Sequence, residues 1–308
     1  MGINVISLFN GINCGRVALE RAGIEVDKYY SSEINEDSIA VTTENYPDTI
    51  HIGDIEEIIK VGETNYVNES FLKGLPKIDL LIGGSPCQGI SRSKSFRENL
   101  KDPRSRLFYN YVALKNWLID NNNPELRFML ENVKPNNETK EIMDSAINAK
   151  STMVNSALFS AQRRPRLFWT NFEIPTLPDK ESSLCIKDIE YEHEYEVKEV
   201  ADEYMSTIRF GKNCMSYDTS GKGYYSQANR AYYPNGKMCT IPKSRTKSKC
   251  NIHMSDNKFR RPHPIEIERL QGLPDNYTSI IKSHDTRMGL VGDGWNVDTV
   301  AHILKGIK

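Results

Sequence analysis

The 308-residue chain carries 40 Lys and Arg against 41 Asp and Glu, a formal net charge of -1, which argues against a uniformly basic nucleic-acid coat protein. No apolar run approaches the roughly 20 residues needed to cross a bilayer, and the start, MGINVISLFNG, has no basic region ahead of its apolar stretch; a protein with no membrane association, residing in the cytoplasm, is expected. The six cysteines, Cys14, Cys87, Cys185, Cys214, Cys239 and Cys250, are dispersed without a CxxC pair, so neither a metal site nor a disulfide framework is expected.

Between residues 3 and 170 short apolar runs alternate with polar helical stretches, the pattern of an α/β protein with a doubly wound, mostly parallel sheet. Strands are expected over Asn4 to Phe9, Lys28 to Ile34, Ile78 to Gly84, Arg127 to Val133 and Arg164 to Asn171, with helices over Cys14 to Ala22, Glu36 to Asn45 and Ser105 to Ile119. The rhythm stops after residue 171. The stretch from Phe172 to Arg261 is polar and rich in Gly, Tyr, Asn and Ser, which predicts a small, irregular second domain over residues 172–261. Helical patterning returns in HPIEIERLQG, where Pro264 suits a first turn, and in NVDTVAHILKG, where Val297, Val300, Ala301 and Leu304 share a face. Residues 262–308 are therefore expected to rejoin the catalytic domain of residues 1–171.

Charge is unevenly spread. From Phe172 to Ile208 there are 11 acidic and 3 basic residues, and from Arg209 to Arg261 there are 2 acidic and 12 basic. A basic block of this kind is a candidate electrostatic footprint for phosphates, the alternative being a solvated loop with scattered lysines.

Three chemical features stand out. The loop FNGINCG places Gly11 and Gly15 after the first strand, where doubly wound sheets bind a nucleotide cofactor; Glu33 at the end of the second strand suits two ribose hydroxyls, and Asp54 in HIGDI suits an adenine amino group. The second feature is Cys87, which follows Pro86 at the end of an apolar strand and opens a loop bearing Arg92, Lys94, Arg97, Lys101, Arg104 and Arg106; such a field favours the thiolate. No histidine lies nearby to serve as a base, which disfavours a hydrolase triad. The third is the pair of segments FMLENV and QRRPRLFW, which bring Glu131, Gln162, Arg164 and Arg166 to strand ends. Together they offer a nucleophile, an acid and a cationic clamp.

In order along the chain, SLFNGINCG, SSEI, GDI, GGSPCQGIS with DPRSRLF, ENV, QRRPR, RRPHPIEIERLQGLPDNY and GDGWNVDTVAHIL resemble the ordered motifs of the cytosine-5 DNA methyltransferases, in particular phage and bacterial members akin to the mammalian de novo enzymes. The resemblance implies the Rossmann-like fold of S-adenosyl-L-methionine-dependent methyltransferases with a target-recognition domain. It implies that S-adenosyl-L-methionine meets Phe9, Asn10, Gly11, Asn13, Gly15, Glu33, Ile34, Asp54, Ile55, Gly84, Pro86, Asp293, Gly294 and Trp295. It makes Cys87 the nucleophile toward cytosine C6, Glu131 the residue at N3 and the N4 amino group, Arg166 the group at the O2 edge, and Arg164 a neighbour of the thiol and base. Double-stranded DNA would be held by Gln88, Ser91, Arg92, Arg104, Thr240, Lys243, Arg245 and Lys247, with the cytosine flipped out of the stack. A monomer is expected, with a cognate restriction endonuclease as a candidate partner.

Three alternatives share these residues: an RNA methyltransferase of the same fold, a relative that delivers a larger group from decarboxylated S-adenosylmethionine, and a catalytically silent DNA-binding relative. The sequence departs from its nearest motif relatives at Asn10, where Asp is common, and at Asp293, where Asn is usual.

Overall fold

The computed structural model describes residues 2–62, 65–86, 107–223, 225–242 and 250–308. The chain divides into two compact units, one of residues 1–155, 165–177 and 300–308, the other of residues 156–164 and 178–299. Among the described residues no helix is long and apolar enough to cross a membrane.

The first unit opens with β1 (Ile3–Leu8), α1 (Cys14–Arg21), β2 (Val26–Ser32), α2 (Glu36–Asn45), β3 (Ile50–His51) and α3 (Ile55–Ile58). A small antiparallel hairpin of β4 (Ile59–Lys60) and β5 (Tyr66–Val67) precedes α4 (Glu69–Lys73). There follow β6 (Leu80–Gly84), α5 (Leu107–Asn121), β7 (Arg127–Asn132), α6 (Asn137–Ile147), β8 (Ser151–Asn155) and β9 (Pro165–Thr170). The sheet order is β3-β2-β1-β6-β7-β9-β8, parallel except for β9, which runs against both its neighbours. The second strand starts and ends two residues before its expected bounds. Helix α6 and strand β8 were not expected: β8 reads STMVN, with only Val154 fully buried, so it lacks the apolar run that marks the central strands.

Strands covered on both faces need apolar side chains at successive positions. Accordingly Val5, Ile6, Leu8, Leu80, Leu81 and Ile82 are almost wholly buried, each contributing about 1.5–3 kcal/mol by leaving water. Gly83 belongs here for steric reasons, since a Cβ would lie 3.0 Å from the Tyr111 ring and 3.2 Å from the Leu8 carbonyl oxygen. The chain winds from β1 outward through β2 and β3, then returns to the other side of β1 with β6. The loops leaving β1 and β6 therefore part at the carboxyl edge, which is where such sheets open a ligand crevice.

The second unit holds six short strands: β10 (Val197–Glu199), β11 (Arg209–Phe210), β12 (Cys214–Ser216), β13 (Arg230–Tyr232), β14 (Asn251–Ser255) and β15 (Lys258–Arg260). Their order is β10-β15-β14-β13-β12-β11, antiparallel except between β13 and β14. A small core of Val200, Met215, Ala231 and Phe259 lies among them. Helix α7 (Pro264–Gln271) begins as expected with Pro264, capped by His263 and ended by Gly272 at φ 76°. The unforeseen α8 (His284–Asp293) follows, and in α9 (Val297–Leu304) the chain passes back to the first unit.

Candidate active site

The loop after β1 is held in an unusual backbone. Phe9, Gly11 and Asn13 have φ of 55°, 59° and 68°, and left-handed non-glycine residues cost about 1–3 kcal/mol each, which only a constrained setting sustains. Glu33 supplies that constraint. Its Oε2 accepts the Gly11 N–H at 2.7 Å while Oε1 accepts the N–H groups of Ile34 and Asn35 at 2.9 Å, so three of about four carboxylate acceptor positions serve the backbone and one is left toward a ligand. Beside it Ile34 is 71% exposed, an apolar surface of the size a flat base can cover.

Asn10 is oriented by Tyr29, whose hydroxyl donates to Asn10 Oδ1 at 3.0 Å. Burial pushes the Tyr29 hydroxyl well above its ordinary range, so it remains a donor and the Asn10 amide nitrogen must point away from it. That nitrogen, and Oδ1 of the fully buried Asn13, are buried without a hydrogen-bond partner among the described residues. Two orphaned polar atoms in one loop, one donor and one acceptor, fit a bound zwitterion such as the methionine part of S-adenosyl-L-methionine. Asp54 sits at the N-terminus of α3, where Oδ1 accepts the Glu56 N–H at 2.9 Å. The side chain of Ile55 is buried in the core, as is Gly15 in α1, and Phe9 packs partly against the core.

The acid and one of the two expected arginines meet on the sheet. In register, Gly84 of β6 pairs with Glu131 of β7, and Asn132 pairs with Leu167 of β9. Glu131 and Arg166 are thus diagonal neighbours on one face, within reach of a long side chain. Arg166 Nε lies 2.9 Å from Glu131 Oε1, both side chains being largely buried.

Asn132 was not singled out from sequence, yet its side chain donates to the carbonyl oxygen and hydroxyl of Ser85 at 3.2 and 2.9 Å. It tethers the Ser85–Pro86 turn that leads directly to Cys87. Buried Ser85 and Asn132 could have been found only as partners of the flanking motif. Cys87, Gln88, Ser91, Arg92, Arg104, Lys243, Arg245 and Lys247 lie outside the described residues.

Arg164 behaves differently from Arg166. It is 4% exposed and donates through Nη2 to the carbonyl oxygens of Gly292 and Gly294 at 3.0 and 2.9 Å, so it holds the C-terminal turn of α8. Gln162, fully buried, donates to Gln271 Oε1 at 2.9 Å and accepts the Ile241 N–H at 3.4 Å. Thr240 donates its hydroxyl to the Arg163 carbonyl at 2.9 Å. In the GDGW segment, Asp293 is exposed at the end of α8, Gly294 is buried and Trp295 half-buried. Gly292 cannot carry a side chain, because a Cβ would come within 2.6 Å of the Pro242 carbonyl oxygen.

A doubly wound sheet with a strained glycine loop at its switch point, and an acid–arginine pair beginning on the strand beside the one that leads to a thiol, is the architecture of an α/β enzyme. The sequence profile of the C-5 cytosine-specific DNA methylases matches residues 3–308, and the chain belongs to that family. It is 26% identical to the type II methyltransferase M.FnuDI of Fusobacterium nucleatum, over 99% of this chain and 94% of that protein. It is 27% identical to M.HhaI of Haemophilus parahaemolyticus, over 90% and 85% respectively. Among solved structures it is similar to the Dnmt2 methyltransferase of S. pombe (TM-score 0.70, 20% identity, 98% and 97% of the two chains) and to the methyltransferase EhMeth of Entamoeba histolytica (TM-score 0.68, 17% identity, 100% and 98%).

Proposed function

We propose that the protein methylates C5 of a flipped-out cytosine in duplex DNA, using S-adenosyl-L-methionine. The observation that carries this reading is the Glu131–Arg166 pair, in which Arg166 of β9 meets Glu131 of β7, the strand next to β6; the β6 chain runs on through the Asn132-tethered Ser85 to Cys87. When bound, S-adenosyl-L-methionine supplies the electrophilic sulfonium methyl that C5 receives. The loop polar atoms of Asn10 and Asn13, the remaining acceptor position of Glu33, and exposed Ile34 are the groups that would hold it.

Aromatic C5 is a weak nucleophile. The Cys87 thiolate adds to C6, breaking the C5–C6 double bond and giving an enamine with electron density at C5. Glu131 holds N3 and the N4 amino group, offsetting charge that builds on the ring during addition. Arg166 holds Glu131 and the O2 edge. Once C5 carries the methyl group, loss of its proton and of the Cys87 sulfur restores the aromatic ring. Extruding the base costs roughly a few kcal/mol, which phosphate contacts repay. The basic block of residues 209–261 suits a duplex better than an unpaired loop, since phosphate charge density is greatest there.

Expressing the wild type and Cys87→Ala in a host and mapping 5-methylcytosine by bisulfite sequencing tests the reading. Methylation in one recurring sequence context, absent with the variant, is expected. Unmodified genomic DNA beside methylated tRNA would overturn the choice of DNA.

A further inference from the structure

Cys239 and Cys250, which their sequence spacing treats as unrelated, bring their sulfurs to 3.5 Å, and both are free thiols. The stem that carries Cys239 is fixed: Met238 gives its N–H to the Ala161 carbonyl and takes the N–H of Arg163, each at 2.8 Å. Cys250, fully buried, directly precedes β14. The two sulfurs have unequal surroundings. Half-buried Cys239 lines a cavity of about 300 Å³ together with Asn213, Gln227, Arg230 and Tyr232, and its sulfur accepts from Gln227 Nε2 at 3.0 Å. The Cys250 sulfur lies within hydrogen-bond range of it, and with the Cys250 thiol as donor this contact, against the opposing effect of burial and together with the Tyr232 hydroxyl, the Gln227 amide and the charge of Arg230, pulls Cys239 down from 9.0 to about 7. Cys250 is pushed up, first by that same hydrogen bond and then by burial.

We propose that Cys239 and Cys250 form a redox modification site that reacts with low-molecular-weight disulfides and closes to an internal disulfide. The Cys239 sulfur, the more exposed of the two, attacks as its thiolate one sulfur of the small disulfide; that S–S bond breaks and one thiolate leaves with the electron pair. Cys250 then gives its proton to the departed thiolate and attacks the Cys239 sulfur, expelling the second small thiolate, which takes up the proton lost by Cys239. Two cysteine thiols are oxidised and one small disulfide is reduced to two thiols. In a reducing compartment a pair of this kind is a sensor rather than a structural staple. The bond joins the two ends of segment 240–249, which carries Lys243, Arg245, Lys247 and Lys249.

The test is peptide mass mapping of the full chain after incubation with oxidised glutathione near pH 7. A Cys239–Cys250 cross-link, reversed by dithiothreitol, is expected as the dominant product. Cys250→Ala should instead retain a glutathione adduct on Cys239, formed about fivefold more slowly, because losing the S–H donor lowers the thiolate fraction more than it raises intrinsic nucleophilicity. Should Cys250→Ala fail to fold, the wild-type map decides alone. Unmodified Cys239 in the wild type, or an adduct there that never transfers to Cys250, would overturn the proposal.

Discussion

Arg166 Nε stands 2.9 Å from Oε1 of Glu131, a cation held diagonally across two antiparallel strands against a largely buried carboxylate. The sheet register brings both residues to one face, so in the proposed reaction the pair would meet a base without reorganising first. Glu131→Gln and Arg166→Ala should each lower single-turnover methylation by about 10²–10⁴-fold and change duplex affinity by only a few-fold, because phosphate contacts dominate affinity. Rapid-quench kinetics with parallel binding isotherms check this. Equal losses in binding and rate would mean that the pair merely holds the fold.

A second ion pair is structural. Arg260 and Glu266 are 3% and 0% exposed and make two 2.8 Å hydrogen bonds, and Glu266 also accepts the His263 N–H at 2.7 Å. Removing one partner leaves a buried charge, so Glu266→Ala should cost about 3–5 kcal/mol. Urea denaturation of the purified variant measures it.

Stability should depend on histidine. His263 Nδ1 accepts the Ile265 N–H at 3.2 Å, a role open only to the neutral ring, and burial together with the nearby His193 and His284 lowers its pKa below the ordinary 6.5. His284, lowered first by burial and then by Arg261, behaves alike. The unfolded chain then binds more protons than the folded one as pH falls through 6.5, so this stability is present above that pH and lost below it. Urea midpoints at about pH 8 and about pH 5.5 should show the fall. His263→Asn, which can still cap, should lessen it while leaving the His284 part.

The central strands were legible because a strand covered on both faces must be a continuous apolar run, as in IDLLIGG. The second unit's strands are two to five residues long, too short for alternation to register. Helix α8 was hidden by its glycines, one of which is demanded by close approach to Pro242 rather than by helix propensity. The arginine motif suggested that Arg164 and Arg166 act together. Strand β9 begins at Pro165, however, so Arg164 precedes the alternation, and its guanidinium satisfies two carbonyls in α8's final turn. Such pairings join residues some 130 positions apart, and no local pattern encodes them.

Replacing Lys243, Arg245, Lys247 and Lys249 together by Gln should weaken duplex binding and flatten its salt dependence by roughly one log-log unit per lost phosphate contact. Filter binding over a salt series measures the slope. An unchanged slope would make these lysines and the arginine solvated bystanders.

Asp293 closes α8 at its negative dipole end, exposed to solvent. If the protein uses ordinary S-adenosylmethionine, Asp293→Asn should change its apparent affinity by less than about twofold, within 0.5 kcal/mol. Donor competition with decarboxylated S-adenosylmethionine, followed by mass analysis of the DNA, should return methyl groups alone. Transfer of a larger group would establish the modified donor instead.

The central claim is covalent addition of Cys87 to cytosine C6, and it is tested most directly with a duplex carrying 5-fluorocytosine at the mapped target. Fluorine cannot leave C5 as a proton does, so the enzyme should stall after methyl transfer, covalently joined to the DNA. Denaturing electrophoresis and peptide mapping should find the adduct on Cys87 and none with Cys87→Ala. A proven target that yields no adduct, or an adduct on another residue, would contradict the account.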